Sequence, residues 1–203
     1  SKRPELFIPY KWPTYFKKTK NITITSLQNM KYKDFCSMGI GTNILGYAND
    51  AINKSVISSL KNGNISTLNS FEEVVLAEKL ISINPWAEKV LFSRTGGEAN
   101  AIAVRLARAY TGKDKIAICG YHGWHDWYLA ASKSNEKKIK KEQLPFYTSM
   151  GVPKSLLNSI IPFEYNNLNS LKNIILNNKD IGIIKMEVER NERPKANYLT
   201  EVR

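Results

Sequence analysis

The chain has 203 residues, 42% of them hydrophobic and 24% charged, which fits a globular chain and excludes collagen-like or disordered classes. No apolar run approaches the roughly 20 residues that a membrane-spanning helix needs. Cys36 and Cys119 are too few for a disulfide framework, so a reducing, cytoplasmic setting is expected. The opening SKRPELFIPYKWP has no continuous apolar core of the kind a secretory signal carries. The net charge is +12, but 23 of the 30 basic residues are Lys, and residues 1–33 alone hold +7. Bidentate readout of phosphates and guanines favours Arg, so solvated surface is a better reading of this charge than a nucleic-acid footprint.

In chain order, residues 1–48 read as an irregular or β-rich segment. ITIT at 22–25 and Lys31–Met38 are strand-like, and Gly39, Gly41 and Gly46 interrupt the chain beyond them. A helix is expected from Asn49, with Ile52, Val56, Ile57 and Leu60 on one face and a stop at Gly63. A second starts at a capping box, Ser70 with Glu73, and carries Val74, Val75, Leu80 and Ile81. KVLFS at 89–93 reads as a buried strand. A Gly-Gly turn comes next, then a helix over 98–110 expected to bury Ala99, Ile102, Ala103, Leu106 and Tyr110.

The alternation then repeats. Lys115–Cys119 is a strand, 120–128 an aromatic loop, and Ser132–Pro145 a Lys-rich surface excursion. Ser159–Phe163 is a strand, Leu168–Leu176 a helix and Ile181–Glu187 a buried strand, followed by a polar segment without a closing helix. Apolar strands separated by helices predict a mostly parallel sheet covered on both faces, an α/β architecture.

Two constellations lie where such sheets bind ligands, beyond the carboxyl ends of the strands. In Ser93-Arg94-Thr95-Gly96-Gly97-Glu98, two glycines open a helix whose first amides and dipole suit an anion. The spacing is neither a Walker motif nor a dinucleotide fingerprint; a plain strand-to-helix turn is the alternative. In Tyr121-His122-Gly123-Trp124-His125-Asp126-Trp127-Tyr128, four aromatics stand with both histidines of the chain. A metal site on His122, His125 and Asp126 is disfavoured for lack of partner spacing. A stacking wall for a flat ring fits better, with an aromatic plug as the alternative, strongest for Trp127 and Tyr128. A phosphate cup after one strand and an aromatic shelf after the next suggest a phosphorylated planar cofactor.

The string FSRTGGEANAIAVRLARAYTGKDKIAICGYHGWHD resembles the class III (ω-type) aminotransferases, within them the branch that includes glutamate-1-semialdehyde 2,1-aminomutase. DFCSMGIGTNILGYANDAINKSV and SFEEVVLAEKLISINPWAEKVLF resemble its preceding segments, and the resemblance spans about residues 31–190. It implies the large domain of a fold-type-I (aspartate-aminotransferase-like) transferase dependent on pyridoxal 5′-phosphate, incomplete at the C-terminus. Residues 1–48 would then belong to the small domain and the approach to the site, and 49–203 to the cofactor-binding domain. Carried onto this chain, Thr95, Gly96 and Gly97 would hold the phosphate; the family usually has Ser or Thr where Gly97 stands. Tyr121 would stack on the pyridine ring with His122 beside it. Glu187 matches the Glu of a Glu-Pro motif on the cofactor side of the site and would be a further cofactor-binding residue, with Val188 in place of Pro. Trp124 and His125 would face substrate, and no metal is implied.

The family's pyridinium-pairing Asp and Schiff-base Lys are expected beyond Arg203. The resemblance therefore implies a part of an enzyme that moves an amino group between, or within, a donor and a carbonyl acceptor, homodimeric when complete and inactive in this portion. A non-catalytic homologue or partner subunit of the same fold is the alternative.

Overall fold

A computed structural model describes residues 15–35, 38–63, 65–131, 149–189 and 192–203. The Lys-rich stretch expected over Ser132–Pro145, and Cys36, lie outside these residues. The chain divides into two units, Ser1–Lys89 and Val90–Arg203. That division falls between the second and third helices, whereas the expected boundary at 48/49 falls before the first.

In the first unit, β1 (Phe16–Lys20), β2 (Thr23–Ser26) and β3 (Lys31–Lys33) form an antiparallel meander. Asn21 and Asn29 make its turns at φ 51° and 63°, a left-handed conformation that Asn tolerates better than most residues. β1 falls within the segment read as irregular or β-rich without being singled out there, and the strand expected over Lys31–Met38 stops at Lys33. Helix α1 (Asp50–Lys61) is capped by Asn49, whose side chain accepts from the amides of Ala51 and Ile52 at 3.1 and 3.2 Å. Helix α2 (Phe71–Ile83) starts after Ser70, but the capping box does not form. The Ser70 hydroxyl donates to Glu72 instead, which holds that carboxyl below its usual range. Among the described residues of this unit only Thr25 and Ser26 are buried. The apolar face expected on α1 forms but stays open, with Ile52, Val56, Ile57 and Leu60 all about half exposed.

In the second unit, β4 (Lys115–Cys119) lies between β5 (Ile160–Pro162) and β6 (Ile181–Met186), parallel to both. The pleat sends alternate residues of β4 to opposite faces. Ile116 and Ile118 join Val104, Trp127, Tyr128 and Ile160 on one side, while Ala117 and Cys119 join Phe163 and Leu171 on the other. Helices α3 (Gly96–Thr111) and α4 (Asp126–Leu129) contribute to the first cluster. α5 (Leu168–Asn177) and α6 (Tyr198–Val202) contribute to the second. The expected α/β layering is present, and α6 supplies a short closing helix where none was expected, with Tyr198 only 3% exposed.

Two further expectations fail. KVLFS is not a strand: it has no ladder partner among the described residues, and Leu91 is 69% exposed. A strand exists only through hydrogen bonds to a neighbour, which its own composition cannot provide. Helix α3 also presents a different face. Val104 and Ala101 meet the sheet, while Leu106 and Tyr110 are 60% and 93% exposed. At the C-terminal end of the same helix, β6 comes close: a Cβ on Gly182 would lie 2.6 Å from Thr111 Oγ1 and 2.7 Å from Lys113 Cβ.

Candidate functional site

The site is built where α3 begins and where β4 ends. Thr95 is the N-cap of α3, its Oγ1 accepting from the Glu98 amide at 3.1 Å, and Glu98 Oε2 reciprocally accepts from the Arg94 amide at 2.8 Å. The Ala99 amide bonds the Thr95 carbonyl. This capping leaves the amides of Gly96 and Gly97 without a hydrogen-bond acceptor among the described residues, and a Cβ on Gly96 would meet nothing within 4 Å. Two open amides at the positive end of a 16-residue helix are suited to an anion.

The chain leaves β4, the middle strand, through Gly120 at φ +94°. A Cβ there would overlap the Glu187 carboxylate, whose Oε2 accepts the Tyr121 amide at 3.0 Å. Glu187 follows β6 directly, its own amide bonding the Cys119 carbonyl at 3.2 Å. It therefore stands behind the turn that aims Tyr121. The Tyr121 ring meets Tyr128 edge-on, centroids 5.8 Å apart, and the Tyr128 hydroxyl donates to the Gly120 carbonyl at 3.1 Å.

His122 goes to the interior. It is 4% exposed, its Nε2 lies 2.9 Å from the Cys119 carbonyl, and its ring stacks on Trp127. Burial, with Lys185 nearby, holds its pKa below 6.5, so the imidazole is neutral near pH 7. Trp127 and Tyr128 are buried as a plug that seats the loop on the sheet. Burial also pushes the Cys119 thiol up to about 12, helped by the Glu187 carboxylate, and pulls Lys185 down against the opposing pull of Glu187.

The two loops touch. Asn100 Nδ2 donates to the His122 carbonyl at 3.3 Å, a Cβ on Gly123 would come within 3.1 Å of Gly97 Cα, and the His125 ring lies against Gly97. Trp124 is 65% exposed beside His125. The structure thus gathers Thr95, Gly96, Gly97, Tyr121 and His125 at one end of the sheet, puts Glu187 behind them and removes His122 to the core. Asn100 was not foreseen, although it lies one helical turn beyond Gly96 and Gly97, on the same side of α3.

The aminotransferase class-III family model matches residues 10–184. The chain belongs to the class-III aminotransferase family. Members of this family depend on pyridoxal 5′-phosphate. Among class-III relatives, the 3-aminobutyryl-CoA aminotransferase of Cloacimonas acidaminovorans (strain Evry) is 36% identical over 210 residues, covering 100% of this chain and 46% of the relative. The glutamate-1-semialdehyde 2,1-aminomutase of Sulfurisphaera tokodaii is 31% identical, covering 95% and 46%. An omega-transaminase from Sphaerobacter thermophilus superposes with a TM-score of 0.82 at 24% identity, over 100% of this chain and 48% of its own. The chain thus spans about half the length of the curated relatives it matches and has the fold of the N-terminal part of a fold-type-I transaminase.

Proposed function

We propose that this chain forms the pyridoxal-phosphate cradle of an aminotransferase or aminomutase that moves an amino group to or within an aldehyde or ketone. The observation that carries the reading is the juxtaposition of two open helix amides, Gly96 and Gly97, with the Tyr121 turn at the end of the central strand. The residues fit the cofactor: Gly96 leaves the approach to the helix start clear, and Tyr121 supplies an aromatic face held by its own backbone.

When bound, the cofactor supplies the electron sink for carbanion chemistry at the amino-bearing carbon. The chain's own residues bind and orient. The Gly96 and Gly97 amides donate to phosphate oxygens, and the α3 dipole favours the phosphate charge. Tyr121 holds the flat ring, with its amide fixed by Glu187 and its ring braced by Tyr128. Trp124, exposed beside His125, borders the open side, where an amino donor and a carbonyl acceptor would approach, while His125 lies inward against Gly97. Glu187 acts through Tyr121 rather than on the cofactor.

On this reading the lysine that holds the cofactor covalently and the carboxylate that pairs with its ring nitrogen come from sequence outside these 203 residues. Titration of the 203-residue chain with pyridoxal phosphate, followed by tryptophan fluorescence, tests the reading. Saturable one-site binding that Tyr121→Ala weakens, with no turnover of amino donors, is the expected result. Absence of saturable binding refutes the cradle, and turnover by the isolated chain refutes the division of labour.

A further inference from the structure

Position 97 is where α3 could offer a side chain to an anion at its start, and this chain has none there. The space is filled from elsewhere. A Cβ on Gly97 would lie 2.8 Å from His125 Cδ2 and 2.9 Å from His125 Nε2, nearer than real Cβ contacts allow. The imidazole edge that carries Nε2 therefore occupies the place of a residue-97 side chain.

Four features hold it there. Gly123, at φ +103°, lets the loop close to 3.1 Å between its would-be Cβ and Gly97 Cα. Asn100 ties the same loop to the first turns of α3 through the His122 carbonyl. The His125 carbonyl accepts from the amides of Tyr128 and Leu129, which fixes its backbone at the start of α4. The Trp124 ring backs the imidazole at a centroid distance of 5.6 Å and a tilt of 32°. The ring nitrogens make no hydrogen bond or ion pair among the described residues.

We infer that His125 completes the phosphate cradle, its Nε2–H donating to the cofactor phosphate in the position a residue-97 side chain would otherwise take. The inference rests on the cradle reading and adds to it a donor from the second loop. Gly97 and His125 are then a matched pair: a side chain at 97 and a ring at 125 exclude each other.

The test uses the 203-residue chain with four variants: His125→Ala, Gly97→Ser, the double variant, and Tyr121→Ala for comparison. Dissociation constants are measured for pyridoxal phosphate and for inorganic phosphate, with circular-dichroism melts confirming folding. His125→Ala should weaken both probes by roughly tenfold or more, the size of one charge-assisted hydrogen bond. Tyr121→Ala should weaken pyridoxal phosphate alone. Gly97→Ser in the wild-type background should weaken both probes, because its Cβ overlaps the ring, yet in the His125→Ala background it should restore them to within about threefold of wild type.

If wild type binds pyridoxal phosphate and His125→Ala leaves the affinity for either probe unchanged, the cradle stands and the role of His125 is overturned. The same holds if serine at 97 fails to rescue His125→Ala. A wild-type chain that binds neither probe overturns both.

Discussion

Gly120→Ala tests the arrangement that aims Tyr121. At φ +94° an alanine is strained by about 1–2 kcal/mol through its backbone alone. Its Cβ would also overlap Glu187 Oε2 and lie 3.0 Å from Cδ and Cγ of the same residue, so the carboxylate must move. Moving it breaks the 3.0 Å bond from the Tyr121 amide, a hydrogen bond to a charged group worth about 1.5–3 kcal/mol. Glu187 is only half-buried, which favours the lower end.

The total, about 2.5–3.5 kcal/mol, is a large fraction of the roughly 5–15 kcal/mol of a whole domain. Urea unfolding followed by tryptophan fluorescence reads it, because Trp127 is buried in the same unit. In a Glu187→Ala background both the clash and the bond are already gone, so Gly120→Ala should cost only its backbone strain of about 1–2 kcal/mol. Equal costs in the two backgrounds would mean that Glu187 is not what Gly120 accommodates. Glu187→Ala should also raise the dissociation constant for pyridoxal phosphate, since the ring of Tyr121 loses its anchor.

Gly112 is a contrasting case: it ends α3 at φ 64°, with nothing within 4 Å of a Cβ, so Gly112→Ala should cost only about 1 kcal/mol, read as a small drop in the urea midpoint. His122 is buried with a pKa below its ordinary 6.5, so the native state takes up that proton later than the unfolded chain. Stability should be full above about pH 6.5 and fall as pH drops below it, and His122→Asn should flatten that fall; equal losses of urea midpoint between pH 7.5 and 5.5 in both proteins would contradict it. The Cys119 thiol, raised to about 12, should resist iodoacetamide at pH 8 in the folded chain and react once urea unfolds it, as peptide mass spectrometry will show; rapid native labelling would place Cys119 in the open.

The sequence carried the local features whose causes are local. KIAIC and IGIIKM are short apolar runs that lie within a parallel sheet, and they form β4 and β6 within a residue of where they were expected. The glycines of TGGE marked a helix start, expected at Glu98; α3 begins two residues earlier, at Gly96, where Thr95 and Glu98 cap it reciprocally. The motif order through YHGWHD carried the family, and the match over residues 10–184 agrees.

Tertiary structure decided whatever depends on a neighbour. Helix α3 is apolar on more than one side, and periodicity favoured its bulky residues. The fold instead packs Val104 with Ile116 and Ile118 of the sheet and leaves Leu106 and Tyr110 exposed. KVLFS had the composition of a strand but no ladder, and composition cannot create a partner. Within one octapeptide, His122 went to the core and His125 to the start of α3. Two identical side chains three residues apart differ only in what the fold puts beside them: Cys119 and Trp127 around one, the bare backbone of Gly97 against the other.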